Sequence, residues 1–548
     1  MRLDGFIGPG YQSASIRADC QRSLNLFPEV VESGKGKNSM YLLGTPGVST
    51  WITLPASPIR GILAAGAPLT TGARLFVVAG ATLYEVFANG TFTARGSVGN
   101  DGLPVQMMVN GNQLFVVSAG TGYIDNGVSP ISASITLGRG IVTTVNSGGQ
   151  TAVTLLSGDS FGVGMIGQIL VLGGTGYSGG VSYTVAASPA PTLTTLYLTT
   201  NAGANPAPGI VYNVPTSGLS ASSGAFLDGY FIVANVDSKQ FNISNINDGT
   251  YWRALDFGVK QGYPDNIGKV LVDHRDLWLF GSETTEVWRN TGAANFPFER
   301  DPSGYIQQGI AAPNTACSLA NGVAWLGGDS RGNIIAWYAQ GYQPMRISTH
   351  AIEQAWQGYS VISDAVSFTY QENGHQFWVI NFPAGMQTWV YDFTAKLWHE
   401  RGYWTGAVIQ RGRANCHAYC YGHHIVGDWT NGNLYYQSLA TFTDDGAAIY
   451  RIRTAPHISN EDKEIFYHRF RLDAENTGAL NPALDWSNDG GFTFINSRTT
   501  VSNTAGAMAV YDWRRLGKAR DRVFRLIISS GLKTALIDAY LETTPGTS

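Results

Sequence analysis

The chain has 548 residues, which is too long for a single hydrophobic core, so two or three domains are expected. Only 14% of the residues are charged, against roughly 25% in an average protein, whereas glycine (67 residues) and aromatic residues (12%) are abundant. The net charge of −4 excludes the basic footprint of a dedicated nucleic-acid binder, and four cysteines are too few for a secreted domain held by disulfides. A surface this poor in charge predicts a subunit that other chains cover in an assembly.

Residues 1–50 are predicted to form an extended arm, because Pro28, Pro46 and the Gly-Lys-Gly-Lys stretch at 34–37 interrupt any regular pattern. The N-terminal segment lacks the apolar centre of a signal peptide, and no run approaches 18 apolar residues. We therefore expect a soluble protein, made in the cytoplasm with reduced thiols and without a membrane partner.

From about residue 51, a turn rich in Gly, Asn or Asp followed by a short aromatic and β-branched run recurs every 40 to 50 residues. Seven runs follow this pattern and begin at Leu75, Leu114, Tyr230, Leu277, Val323, Phe377 and Ile425. That period is typical of the four-stranded blades of a propeller. The sequence predicts an all-β fold with a β-propeller of about seven blades over 51–130 and 218–455, closed by the N-terminal arm or by a C-terminal strand.

One gap between runs is 116 residues long, and it becomes regular if about 75 to 85 residues are inserted there. The segment 131–217 is rich in Thr, Ser, Gly and Ala, and its only charged residues are Arg139 and Asp159. Short runs such as 169–172 keep the period of a strand, so we predict a small β-domain inserted between two blades. Its low charge suggests contact with a neighbour, and a solvent-exposed decoration is the alternative.

A short helix is predicted at 349–357, and the propeller period ends at Pro456. Apolar alternation at 465–472 and 522–528 predicts a C-terminal β-sandwich-like domain over 456–548. Residues 451–548 carry 13 Lys plus Arg against 11 Asp plus Glu, so this end of the chain is slightly basic.

The stretch 487–494 fits the Asp-box pattern, in which an aspartate caps a hairpin turn and an aromatic residue packs beneath it. The pattern residues are Ser487, Asp489, Gly491 and Thr493. Such a turn is a structural element and is poor evidence for activity. A sialidase-like enzyme would need several boxes within the blades, and this single box lies outside them.

The segment 416–424 contains Cys416, His417, Cys420, His423 and His424, which are ligand types that zinc prefers. In a strand, however, the two cysteines face one way and His417 the other, and no second ligand pair lies nearby in the sequence. We therefore predict no metal. Since no carboxylate pair, nucleophile triad or phosphate-binding loop is found either, we predict no catalytic residues, no cofactor and no enzymatic activity.

A basic cluster near the C-terminus is a candidate interface. Its residues are Arg514, Arg515, Lys518, Arg520, Arg522 and Arg525, with one acid, Asp521, among them. The cluster could contact DNA phosphates or form ion pairs between subunits, and the second use is favoured.

Six stretches, in order along the chain, resemble the packaged-DNA stabilisation proteins of short-tailed phages, also called tail accessory factors, hubs or nozzles. They are 23–29, 41–47, 273–288, 306–312, 483–487 and 522–526. Together they span nearly the whole chain apart from 131–217, which departs from the simpler members.

The resemblance implies a structural protein of the virion tail, assembled in the host cytoplasm. It implies six copies in a ring below the portal and adaptor, extending the DNA channel and retaining the packaged genome. The implied partners are the portal–adaptor connector, tail fibre, tailspike or tail needle proteins, and genomic duplex DNA that passes without sequence-specific binding. The alternative is a carbohydrate-binding or sialidase-like propeller that recognises host glycans.

Overall fold

A computed structural model of the chain describes residues 2–33, 35–66, 72–127, 130–133, 135–174, 177–202, 210–216, 218–328, 332–478, 480–500 and 509–546. Within these ranges the only α-helix is His350–Gln357, where the helix at 349–357 was predicted, and Thr349 caps it by accepting a hydrogen bond from the Ile352 amide. Short 3-10 turns lie at Val163–Met165 and Pro313–Thr315. The other regular elements of the described part of the chain are β-strands.

The chain divides into two compact units, one of residues 1–80, 86–92 and 308–548, the other of 81–85 and 93–307. Among the described residues, seven four-stranded groups of strands have the meandering order of propeller blades, and we number them blades 1 to 7 along the chain. Each of the seven predicted runs lies in the second strand of one blade.

The second unit holds blades 2 to 4. Blade 2 consists of Gln106–Val109, Leu114–Ser118, Thr121–Asp125 and Leu219–Ser220; blade 3 of Ser223–Leu227, Tyr230–Ala234, Gln240–Ile243 and Phe257–Val259; blade 4 of Ile267–Asp273, Asp276–Gly281, Thr285–Asn290 and Phe298–Ile306. Their second strands are almost entirely buried, because apolar side chains cover both of their faces. This explains why the second strands read as unbroken apolar runs.

A six-stranded antiparallel sheet occupies the predicted insertion. Its order is Tyr177–Thr184, Ile169–Gly174, Ile210–Thr216, Ile135–Ser147, Gln150–Gly158 and Thr195–Leu198. One face has its own core, which includes Val142, Val153, Leu170 and Leu196, all fully buried. The sheet thus has a hydrophobic core of its own.

The insertion was expected between two blades, but the structure places it inside blade 2. Strand Leu219–Ser220, which follows the insertion, pairs with Thr121–Asp125 and completes that blade. Contacts with blade 3 hold the inserted sheet in place, since Asp159 accepts hydrogen bonds from Arg253 and from the Tyr251 hydroxyl. Strand Leu219–Ser220 is only two residues long, so its sequence has no recognisable strand pattern from which the position of the insertion could be predicted.

The first unit holds blades 5 to 7. Blade 5 consists of Cys317–Leu319, Gly322–Gly328, Ile334–Gln340 and Gln343–Arg346; blade 6 of Val366–Glu372, His375–Phe382, Gln387–Asp392 and Leu397–Arg401; blade 7 of Ala414–Cys420, His423–Asp428, Asn433–Ser438 and Gly47–Thr53. Blade 7 is therefore completed by a strand from near the N-terminus. Gly47 is needed there, because an added Cβ would lie 2.4 Å from the Thr443 carbonyl oxygen.

Blade 1 consists of Ile59–Ala65, Arg74–Ala79, Thr82–Val86 and Phe92–Ser97. Strands Ile59–Ala65 and Arg74–Ala79 pair antiparallel. The turn after Val86 contains Asn89 and Gly90: Asn89 Oδ1 accepts from the Thr91 amide at 3.0 Å, and Gly90 has a φ of 82°, which a glycine adopts without strain.

The C-terminal part of the first unit is a two-sheet sandwich. One sheet has the order Leu26–Val30, Met40–Gly44, Thr534–Pro545, Ile465–Asn476 and Ala509–Ala519. The other contains Tyr11–Gln12, Cys20–Leu24, Ala447–Thr454, Asp521–Ser530, Ala483–Ser487 and Asn496–Thr499, with short strands Thr443–Asp444 and Ile458–Ser459 beside it. Their shared core includes Phe470, Trp513, Phe524 and Leu541. A separate two-stranded ribbon is formed by Tyr403–Trp404 and Ile409–Gln410.

Two predicted boundaries differ from the structure. The segment 1–50, expected to be an extended arm, contains four strands and the start of a fifth, and Leu26 and Leu42, at most 1% exposed, lie in the sandwich core. Pro28, which suggested irregular chain, lies in an edge strand, where a missing N–H is tolerated. The blades end at Ser438 and not near 455, because strand Ala447–Thr454 pairs with Asp521–Ser530 in the sandwich.

A buried histidine joins the sandwich to blade 6. His375 Nδ1 lies 2.6 Å from Asp392 Oδ2, and its Nε2 lies 2.6 Å from Glu29 Oε2. Phe377 stacks on the imidazole with the ring planes 10° apart. Burial lowers the pKa of His375, but the hydrogen bonds and negative charges of Asp392 and Glu29 outweigh it and raise the pKa to about 9. The imidazolium is therefore a charged bridge at neutral pH.

Candidate interaction surface

The Asp-box residues form a compact turn after strand Ala483–Ser487. The Ser487 hydroxyl donates to Asp489 Oδ1 at 2.5 Å and accepts from the Gly491 amide at 2.8 Å. Asp489 also accepts from the Thr493 amide at 3.0 Å and from the Thr493 hydroxyl at 2.6 Å. These hydrogen bonds, that from Ser487 first, lower the pKa of Asp489 to about 2. A carboxylate held this firmly in its charged form is unsuited to proton transfer near neutral pH.

The stretch 487–494 contains two aromatic residues, and they differ in their packing. Phe492 is 61% exposed, whereas Phe494 lies against Arg525, with the guanidinium carbon 4.0 Å from the ring centroid. The turn thus belongs to the sandwich and is not part of a blade.

The structure separates the six residues of the predicted basic cluster into different roles. Arg522 is 1% exposed and donates to the carbonyls of Leu516 and Lys518 and to Asn488 Oδ1. Arg525 makes a two-pronged ion pair with Asp485, at 3.0 and 2.6 Å. These two arginines stabilise the sandwich and do not offer a free charge to a partner.

Two further members of the cluster are exposed but paired. Lys518 Nζ lies 2.9 Å from Glu464 Oε2, and Arg520 Nη1 lies 3.7 Å from Asp462 Oδ2. Exposed pairs of this kind contribute little stability, and their charges largely cancel at a distance.

Arg514 and Arg515 remain as the exposed cations of the cluster. They lie at a β-bulge, where the pairing of strand Ala509–Ala519 with Ile465–Asn476 shifts by one residue. The bulge turns two successive side chains outward, and it holds Arg515 in a left-handed conformation with φ of 58°. Among the described residues, no carboxylate lies within 4 Å of either guanidinium.

A third arginine, which the sequence did not single out, braces this bulge. Arg498 Nη1 donates to the carbonyls of Arg514 at 2.9 Å and Arg515 at 3.1 Å. Trp513 Nε1 in turn donates to the Arg498 carbonyl at 2.9 Å. Arg498 lies 16 residues before Arg514, on another strand, and only the fold brings them together. We call Arg498, Arg514 and Arg515 the arginine bulge.

The cysteine and histidine segment is part of blade 7. Burial raises the pKa of the Cys416 thiol to about 12, and burial and His424 lower the pKa of His417 to about 3. His417 Nε2 lies 3.0 Å from His424 Nδ1, so the two neutral rings hydrogen-bond to each other. In the described part of the chain, no three His, Cys, Asp or Glu residues are grouped as a metal site requires.

Comparison with known proteins identifies the family. The family model described as "Bacteriophage P22 Gp10, beta-propeller" matches residues 167–441, half of the chain. The chain belongs to the bacteriophage P22 Gp10 beta-propeller family. This membership confirms the predicted all-β propeller fold, and it makes the protein a phage structural protein. The P22 Gp10 match begins inside the inserted sheet, so part of the segment 131–217 lies within the family pattern.

Two solved structures have a distant likeness to this P22 Gp10 family member. Kluyveromyces lactis Hsv2 is 9% identical, with a TM-score of 0.24, and the match covers 63% of this chain and 97% of that one. The WD40 domain of SCAP from fission yeast is 10% identical, with a TM-score of 0.30, covering 72% of this chain and 97% of that one. No curated protein sequence matches the chain. Across the described ranges, no helix is both long and apolar enough to span a membrane.

Proposed function

We propose that this chain is a structural subunit of a phage tail hub or nozzle. Six copies form a ring below the portal–adaptor complex, extend the DNA channel and retain the packaged genome. The observation that carries the proposal is the match to the P22 Gp10 family over residues 167–441, which include blades 3 to 6 and three strands of blade 7. The ordered stretches from 23–29 to 522–526 support it along the rest of the chain. The protein acts without catalysis, cofactor or metal.

The net charge of the chain favours a channel through which DNA slides over a site that holds DNA tightly. The chain carries −4 overall, and a channel that duplex DNA must slide through benefits from few Lys or Arg contacts to phosphate. The channel of a single propeller is narrow and largely filled by side chains, so in this proposal the genome passes through the lumen between subunits. Assembly takes place in the host cytoplasm, and tail fibre, tailspike or tail needle proteins attach to the finished ring.

The arginine bulge is the proposed contact with an acidic surface of a neighbouring tail protein, the adaptor first among them. Arg514 and Arg515 are exposed without a carboxylate partner among the described residues, and Arg498 fixes the backbone that presents them. Guanidinium groups held in this way favour planar, two-pronged recognition of carboxylates. They also steer association by long-range attraction.

The test compares two double variants in phage assembly. Arg514→Gln with Arg515→Gln should leave the melting temperature unchanged and weaken attachment to the adaptor-bearing capsid at least tenfold. The matched control, Lys518→Gln with Arg520→Gln, removes two cations that already have acidic partners, so it should attach as the unmodified protein does.

The role in genome retention is tested with capsids that lack the protein. They should package DNA and then lose it, which nuclease sensitivity and quantitative PCR would detect. Capsids that keep their genome and adsorb, but fail only in host recognition, would refute the hub proposal and favour the glycan-binding alternative.

A further inference from the structure

A crevice of about 450 Å³ lies beside blade 6, between the helix His350–Gln357 and N-terminal residues 10–23. Pockets that bind small molecules or short peptide segments have similar volumes, roughly 300 to 1,000 Å³. Tyr359 and Trp389 supply aromatic surface to its lining, and Gln12, Gln354 and Gln387 supply side-chain amides. This mixture of flat apolar surface and neutral hydrogen-bonding groups suits a peptide.

The crevice reaches the outer edge of blade 6. The outermost strand, Leu397–Arg401, pairs along one edge with Gln387–Asp392. On its other edge, among the described strands, it has one pair only, Glu400 opposite Leu24. The Asn25 amide donates to the Glu400 carbonyl at 2.9 Å, so the backbone groups of Glu400 point away from the rest of the blade. In a β-strand, the backbone N–H and C=O groups of every second residue point to the same edge. The backbone groups of Trp398 therefore point to the same edge as those of Glu400.

Trp398 has no strand partner on this edge among the described strands. On its other edge, strand Cys20–Leu24 pairs with the sandwich, where Arg22 and Ser23 lie opposite Thr454 and Arg453. Trp398 and His399 both line the crevice, while the His399 ring packs on Phe27, so His399 contributes backbone there. The crevice therefore borders the part of this edge that has no strand partner among the described strands.

The lining carries no free charge. Arg22 and Glu400 neutralise each other through hydrogen bonds of 2.7 to 3.1 Å. The other lining residues are uncharged at neutral pH. His399 is among them, because burial lowers its pKa and keeps the imidazole neutral. The amide of Gln387 is already oriented: its Oε1 accepts from the Tyr359 hydroxyl, which itself accepts from Trp389 Nε1 at 3.0 Å. Because the amide oxygen is used in this way, the amino group is the part of Gln387 that could donate to a ligand carbonyl. A charged ligand would lose hydration here without gaining a partner.

We propose that this crevice binds a short, uncharged, extended segment of a partner protein. The segment adds to the outer strand of blade 6 by pairing with Trp398, places a side chain against Tyr359 and Trp389, and accepts a hydrogen bond from Gln387. This is strand addition, in which backbone pairing supplies affinity and the flanking pocket selects the side chain.

The experiment screens a random ten-residue peptide library, displayed on yeast, against the full chain. Enriched peptides should lack charge over a central stretch. Synthetic versions should bind the unmodified chain and bind Ala355→Phe, which fills the crevice from the helix, at least tenfold more weakly. Gln357→Phe is the matched control, because Gln357 is exposed on the same helix but does not line the crevice. It should bind as the unmodified chain does.

Two further measurements decide the outcome even if Ala355→Phe is less stable. Methylating one backbone nitrogen of the peptide should abolish binding, and hydrogen exchange of the Trp398 amide should slow at least tenfold when the peptide is bound. Failure to enrich any peptide, equal binding to Ala355→Phe and Gln357→Phe, or unchanged exchange at Trp398 would overturn the proposal. Neutral oligosaccharides are screened in parallel on an array. If no peptide binds, and an oligosaccharide binds the unmodified chain but not Ala355→Phe, the proposal is also overturned.

Discussion

Replacing His375 by glutamine tests the charged bridge between the sandwich and blade 6. Glutamine keeps a hydrogen-bonding side chain but cannot carry the positive charge that lies between Asp392 and Glu29. The variant therefore removes the charge while leaving most of the shape. Its effect should depend on pH, since only the protonated imidazole is bridged to both carboxylates.

The magnitude follows from the shift in pKa between the unfolded and folded chain. The folded pKa of about 9 exceeds the ordinary value of 6.5, so the folded protein holds this proton more tightly than the unfolded chain does. The resulting stabilisation is fully present below pH 6.5 and is lost as the pH rises through 9. One pKa unit corresponds to about 1.4 kcal/mol, so the stabilisation is about 3 kcal/mol at pH 6, about 1.5 kcal/mol at pH 8 and near zero at pH 10.

The assay is urea unfolding of both proteins, followed by tryptophan fluorescence and circular dichroism at pH 6, 7, 8, 9 and 10. The difference in unfolding free energy between the unmodified protein and His375→Gln should shrink steadily across this range. His274→Gln is the control, because His274 also faces an aspartate but its side chain is 62% exposed. A difference that stays constant from pH 6 to pH 10 would refute the charged-bridge account.

Three other outcomes are expected from the structure. Arg453→Met should lower the free energy of unfolding by about 3 kcal/mol or more, because the buried guanidinium donates to several N-terminal carbonyls that would lose their partner, and denaturant unfolding should detect the loss. Deleting 131–217 should leave a soluble chain that melts cooperatively at a lower temperature, and an insoluble product would show that the insertion belongs to the propeller core. Elemental analysis should find no stoichiometric zinc; zinc that disappears in a Cys416→Ser, Cys420→Ser variant would contradict this.

The propeller was predictable because its second strands are covered on both faces. Runs such as those at Leu277 and Phe377 are continuous apolar segments for this reason, and their spacing reports the length of a blade. The strand that completes blade 7 was not predictable in detail, since its pairing with Asn433–Ser438 joins distant parts of the chain. The strands within residues 1–50 were not predicted, because the prolines there suggested irregular chain and because strand Met40–Gly44 pairs with Thr534–Pro545 near the C-terminus.

The candidate interface shows the same limit at the level of single side chains. The density of arginine near 514–525 was visible, but sequence could not distinguish buried Arg522 from exposed Arg515. That difference depends on a one-residue bulge and on which carboxylates the neighbouring strands supply. Arg498 was missed because its role is to hold two carbonyls on another strand, and a single arginine in a polar stretch gives no signal for this.

The strand Gly47–Thr53 has a consequence for biosynthesis. Thr53 and its partner Asn433 are 380 residues apart in the chain. At about 5 to 20 residues per second, a ribosome needs on the order of 20 to 80 s to make the intervening segment. Throughout that time the strand has no partner in blade 7, and its backbone groups are open to association with other nascent chains. Yield in the host should therefore depend on the translation rate and on chaperones that shield this early strand until blade 7 emerges.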